Sequence, residues 1–184
     1  MVFTYIITVL YNWGGDANGV GKDKNFWAST LILIITVFMM ITAILRWINF
    51  GFFVGPFRLN HWFVWIGTFY IAFAVPVISV LKRRHPNRAK NLARLHMFGN
   101  LAAFLLISIH FASQISRPAE IYPDLGTGLA LYIDLILLVG TGISQRSQLI
   151  PKIKPQTYRF LHTGAAVTFY LIIVIHILHG LGII

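Results

Sequence analysis

Cysteine is absent from this chain of 184 residues. That excludes disulfides, cysteine-ligated iron–sulfur clusters and thiol chemistry. Acidic residues are nearly as scarce: five, against 15 Lys and Arg, for a formal net charge of +10. Charged residues of both signs make up only 11% of the chain, against roughly 25% in an average soluble domain. Apolar residues take their place, at 57% of the sequence, with a mean hydropathy of +0.74. A soluble domain of this size leaves too much of its surface in water to hide that much apolar side chain, and a chain this apolar is not a disordered one. Long linkers and low-complexity tracts are missing too.

In a soluble protein the basic excess would suggest nucleic acid. Here it marks topology first, and no nucleic-acid partner is expected. A membrane-crossing helix needs roughly 20 mostly apolar residues. Five stretches qualify, at about Phe26–Phe50, His61–Leu81, Leu95–Gln114, Gly126–Ser144 and Tyr158–Ile183. Pro76 falls inside the second and predicts a kink there. Residues 1–25 read as an interfacial or re-entrant segment: Met1–Trp13 is apolar but short, lacks the features of a signal peptide, and is followed by a glycine-rich turn. Residues 26–184 form the transmembrane bundle. The loops Lys82–Arg94 and Gln145–Arg159 carry most of the bases and lie on one side of a five-span bundle. The positive-inside rule makes that side cytoplasmic, with the N-terminus inside, the C-terminus outside, and a prokaryotic plasma membrane as the expected location. The same loops offer a docking surface to an acidic partner or anionic lipid.

Seven histidines remain as metal ligands. His96 and His110 are 14 residues apart in the third span, and His162 and His176 are 14 apart in the fifth. Fourteen residues at about 100° each return to within about 40° of the starting direction, so each pair shares one helix face, and the rise between its members is about 21 Å. The third and fifth spans run the same way. His96 and His162 therefore fall near the basic side, and His110 and His176 near the other. Each layer suits one haem with an axial histidine from each helix, and suits tetrahedral zinc poorly because no further ligand is offered. His179, one turn past His176, is the alternative outer ligand. His85, in the basic loop, reads as solvated. Gly99 and Ala103 on the third span, and Ala165 and Ala166 on the fifth, are small enough to let a porphyrin approach; ordinary helix packing is the competing reading.

The runs RLHMFGNLAAFLLISIHF and GTGISQRSQLIPKIKPQTYRFLHTGAAVTFYLIIVIHILHG resemble the ferric reductase-like transmembrane domain, and their spacing is similar to that of the di-haem cytochrome b family. The resemblance covers roughly residues 60–184, and its specific element is the paired His-x13-His. It implies two haem b groups with His96, His110, His162 and His176 as axial ligands: His96 and His162 on the inner iron, His110 and His176 on the outer. The chain ends at Ile184, with no flavin or NAD(P)H domain after the last helix. The expected partner is thus a redox subunit (iron–sulfur, flavoprotein or cytochrome) or a quinone.

Haem propionates need cations. Arg94 and Arg159 are the inner candidates, and Arg46, Arg58 and Arg117 the outer ones, each with the competing reading of a snorkelling flank residue. His61 is a further candidate for an outer propionate or a quinone. Asp134, the one acid well inside a span, is the candidate proton acceptor for quinol oxidation, or the residue that holds an axial histidine through its second nitrogen. The expected architecture is an all-α integral membrane protein, a haem-binding bundle of about five helices. The expected function is a b-type di-haem subunit passing electrons between a quinone pool and partner subunits. Two alternatives stay open: a ferric reductase-like core reducing external iron or oxygen, and a haem-free structural or transport subunit.

Overall fold

The computed structural model describes residues 24–118, 120, 125–147, 153–180 and 182–183. Nearly all of the expected N-terminal segment, 1–25, lies outside them. The regular structure of the described residues is helical apart from one small hairpin. Five of its helical stretches are long and apolar enough to cross a bilayer: Asn25–Ile44, Leu59–Arg84, Pro86–Ile115, Gly126–Gln145 and Pro155–Gly180.

Helix α1 is Lys24–Ile44. It stops short of the expected Phe50 because Arg46 adopts a left-handed backbone, φ 58°, which a helix interior does not accept. The guanidinium of Arg46 then donates to the carbonyl oxygen of Ser116 through Nε at 3.0 Å and through a second nitrogen. That carbonyl lies just past the end of the third span, where a cation complements the helix dipole. Strands β1 (Phe53–Val54) and β2 (Phe57–Arg58) pair antiparallel around Gly55 and Pro56. Gly55 supplies the positive φ, 61°, that a two-residue hairpin turn requires. Trp62 Nε1 donates to the Val54 carbonyl at 2.8 Å, and the exposed rings of Phe52, Phe53 and Phe57 lie around it, the composition of a membrane interface.

The second span is α2 (Leu59–Phe69), a π-helical turn over Tyr70–Ala74, and α3 (Val75–Arg84). The sequence places a kink at Pro76, and the π turn lies immediately before it. Pro76 has no N–H for the carbonyl one turn back, and a widened turn is one of the ordinary ways a helix absorbs such a defect. A 3₁₀ turn, Pro86–Arg88, leads into α4 (Ala89–Ile115). Helices α5 (Gly126–Ser147) and α6 (Pro155–Gly180) follow. Helix α6 starts three residues before the expected Tyr158 because proline at the first turn costs no backbone hydrogen bond.

Helix α4 is the hub, packed against α1, α2, α3 and α5, while α5 and α6 form the closest helix pair. The core lies where α4 and α5 meet. Tyr132 stacks on Phe111, with centroids 4.1 Å apart, and lies parallel to Phe104 at 6.2 Å. Its hydroxyl donates to Ser108 Oγ at 3.0 Å. Outward, large apolar side chains such as Phe38, Phe69, Phe160 and Leu171 are more than half exposed. Surface of that kind all around a bundle is lipid-facing surface. The protein is expected to stay in the membrane pellet through an alkaline carbonate wash. Release into the supernatant would contradict the span assignment.

Candidate functional site

Helices α4 and α6 are not among the closely packed pairs of the described residues. Between them lies a cavity of about 550 Å³, bounded also by α3 and α5, within the range of roughly 300–1,000 Å³ of small-molecule and cofactor sites. His96 of α4 and His162 of α6 both line it, with Asn100, Ala166, Phe169 and Tyr170. The two imidazole centres are 6.5 Å apart, with planes at 73°. A metal with one ring nitrogen at about 2.0–2.1 Å on each side puts the ring centres roughly 6 Å apart. The separation of this pair therefore leaves room for one metal-sized centre between the two imidazoles.

Two buried polar atoms of the cavity wall, His96 Nδ1 and Asn100 Oδ1, have no hydrogen-bond partner. Buried polar groups without partners are rare and mark a missing one. Asn100 Nδ2 lies 3.3 Å from His96 Nε2. Across the cavity His162 is held differently: its Nδ1 lies 3.0 Å from Thr141 Oγ1. With Nδ1 on Thr141, Nε2 is the ring nitrogen of this cavity-lining histidine that remains available to a ligand.

At the other end of the bundle, Nδ1 of His110 lies 3.1 Å from the Asn60 carbonyl oxygen, and Nδ1 of His176 lies 2.9 Å from Thr127 Oγ1. The ring pair at this end is His61 with His110, at 5.6 Å. His110 and His176 do not form the close pair that His96 and His162 form. His176 is turned inward onto α5, while His179 is exposed, so His176 is the better placed of the two outer alternatives. His85 is exposed, as expected. No three His, Asp or Glu side chains among the described residues converge on a metal-sized point; the histidines meet in pairs.

Several expected contacts fall elsewhere. Gly99 does not open onto the cavity: a Cβ there would lie 1.9 Å from Tyr70 Oη, because the ring of Tyr70 already fills the space. Ala103 is buried, and its carbonyl lies where α2 crosses at Gly67. Both are helix-packing positions on the α2 face of α4. Ala166 lines the cavity; Ala165 is half-buried outside it. Arg94 and Arg159 are exposed and outside the cavity wall; the cation that lines it is Lys82, with Gln145 nearby. Arg46 is committed to the Ser116 carbonyl. Arg58 stacks over Phe53 at 5.4 Å. Arg117 is close enough to Arg58 that their like charges interact, and burial followed by that charge lowers its pKa, though an arginine remains charged. Arg58 and Arg117 thus form a cationic patch at this end, with the His61 ring lying between that patch and His110. Asp134 is buried, with Oδ2 unpartnered. It lies seven residues from each of Thr127 and Thr141, so about 10 Å from either level along α5. Its depth is midway between the histidine layers, not at the outer one, and the residue that holds His176 is Thr127, not Asp134.

Thr127, Thr141, Asn100 and Lys82 are not singled out by the sequence reading. The signal for the threonines is legible in retrospect: Gly-Thr-Gly stands at 126–128 and again at 140–142, at the spacing of the histidines. No family model, curated protein or solved structure matches the chain significantly.

Proposed function

We propose that this chain is a membrane-embedded b-type di-haem subunit that passes electrons across the bilayer between a quinone pool and a redox partner subunit. The observation that carries the reading is the His96–His162 pair, 6.5 Å apart in a cavity of about 550 Å³ within a membrane-type bundle. The repeat of the same histidine spacing on both helices supports a second site built on His110 and His176. His96 and His162 would hold an iron porphyrin here, and the chemistry it would supply is single-electron transfer.

The chain's own residues do the rest. His96 and His162 offer nitrogen from opposite walls, Ala166 leaves room beside the ring, and Phe169 closes the cavity floor as a buried apolar side chain. Lys82 and Gln145 offer a cation and an amide to the acidic groups of an inner ligand. Arg58 and Arg117 offer positive charge at the opposite end to a second ligand's acidic groups, and the His61 imidazole offers a hydrogen bond to such a group or to a quinone. The basic loops face the cytoplasm in this reading, in a prokaryotic plasma membrane, and present a docking surface to an acidic partner.

A reduced-minus-oxidised visible spectrum with a haem assay tests the proposal. About two b-type haems per purified chain are expected, reducible by menaquinol or ubiquinol. A colourless protein would end this reading and leave a haem-free subunit. Haem that a quinol cannot reduce, but that passes electrons to a ferric chelate from an added flavoprotein, would replace it with the ferric reductase-like core.

A further inference from the structure

The 14-residue step between the histidines of α6 has a counterpart on α5. Thr127 and Thr141 are also 14 residues apart, each between two glycines. The loop between α5 and α6 is short enough that the two run antiparallel, so equal steps on both meet at both ends. The result is the same contact twice: Thr127 Oγ1 to His176 Nδ1 at 2.9 Å, and Thr141 Oγ1 to His162 Nδ1 at 3.0 Å. The glycine after each threonine lies against the same imidazole. A Cβ at Gly128 would be 3.5 Å from His176 Cε1, and one at Gly142 would be 3.4 Å from His162 Cε1. With hydrogen there, each ring lies along the α5 backbone with its Nδ1 edge on the hydroxyl.

The direction of one of these hydrogen bonds follows from the hydroxyl's other partner. Thr141 donates its proton to the Leu137 carbonyl at 2.7 Å, with Leu138 at 3.1 Å as the second acceptor. A hydroxyl has one proton, so toward His162 it has only a lone pair to give. The imidazole must donate, and the proton sits on Nδ1. A neutral imidazole protonated there carries its lone pair on Nε2. Thr127 presents the same oxygen to the same atom of His176.

We infer that Thr127 and Thr141 are positioning residues that hold His176 and His162 in one ring orientation, each leaving Nε2 as the atom offered to a ligand, and that Thr141 also holds His162 in the Nδ1–H tautomer. That the ligand is haem iron rests on the function proposed above; the tautomer does not. The α4 histidines have no such device. His110 uses a backbone carbonyl, and His96 leaves its Nδ1 unpartnered.

Thr141→Val and Thr127→Val remove the hydroxyl at nearly constant shape, and Thr141→Ser and Thr127→Ser restore it. In nitrogen-15 spectra of the haem-free, histidine-labelled chain, His162 is expected as the Nδ1–H form. Thr141→Val is expected to move His162 to a tautomer mixture, Thr127→Val to change the ring-nitrogen signals and tautomer balance of His176 alone, and each serine variant to restore its own histidine. In the haem-loaded chain each valine variant is expected to weaken one haem by about 10–100-fold, as loss of the outer partner of a metal ligand does. It should also shift that haem's midpoint potential upward and leave the other haem alone. If the wild-type chain binds no haem but the tautomers respond, the positioning role stands and the haem reading falls. If two haems bind while affinities, potentials and tautomers ignore the valines, the positioning role falls and the haem reading stands. If a valine variant weakens both haems equally and serine does not rescue, the hydroxyl is merely structural and the inference is overturned.

Discussion

Replacing His162 with alanine is expected to leave about one haem on the purified chain instead of about two, and to remove one b-type component from the reduced-minus-oxidised spectrum. His162 lines the cavity and faces His96 across it, and alanine has no atom to take the place of Nε2. His96→Ala is expected to give the same loss, because either change removes one of the two imidazoles that would hold the inner haem in the proposed reading. The second site should keep its haem, since the members of each histidine pair are separated by about 21 Å along the helix and changes that far apart act independently. His85→Ala and His179→Ala, at exposed positions, are the controls that should retain both. Two haems retained in His162→Ala would remove the inner site from the proposal.

Gly99→Ala is expected to destabilise the bundle without any reference to haem. The new Cβ would fall 1.9 Å from Tyr70 Oη, 2.0 Å from Cζ and 2.6 Å from Cε1. Tyr70 is anchored: its hydroxyl donates to the Leu95 carbonyl at 2.8 Å, and its backbone opens the π turn. Either the ring leaves and the hydrogen bond is lost, or α4 and the second span move apart at Gly67, where a Cβ would already lie 3.0 Å from the Ala103 carbonyl. Overpacking of this kind costs about 1–3 kcal/mol. A lowered melting temperature in detergent is the measurement, and a double-mutant cycle makes it specific. With Tyr70→Ala in the background the clash is gone, so adding Gly99→Ala should cost almost nothing further. An equal cost in both backgrounds would locate the effect elsewhere.

How much of this the sequence discloses depends on the kind of information each feature needs. The spans need only a count of apolar residues, and all five are legible, with ends displaced where a backbone device intervenes, as at Arg46 and Pro155. The histidine pairs need only the pitch of a helix. Which neighbour each face meets is another matter. Gly99 is three residues from His96 and so only about 60° around the axis, yet one side chain opens onto the cavity and the other position receives Tyr70 from the second span. Periodicity does not distinguish neighbours that close in angle. The same limit explains His61, which lies against His110 because Asn60 and His61 enter α2 beside the end of α4. Lys82 is one of six bases in the stretch Lys82–Arg94, with nothing in the sequence to set it apart, and only the course of α3 brings it to the cavity wall.

The way the helices divide has a consequence for assembly. Among the described residues the α5–α6 pair meets the rest of the bundle at α4, through the Tyr132–Ser108 bond and its stacked rings, with further ties where Met40 Sδ of α1 lies 3.1 Å from the same Tyr132 hydroxyl and where the Tyr170 hydroxyl donates to the Ile71 carbonyl at 2.7 Å. The cavity lies along that same junction, so a ligand that fills it would also bridge the α5–α6 pair to the rest of the bundle. If that ligand is the proposed haem, the chain made in haem-starved cells should hold its last hairpin more loosely and be cleared by membrane proteases faster than the haem-loaded chain.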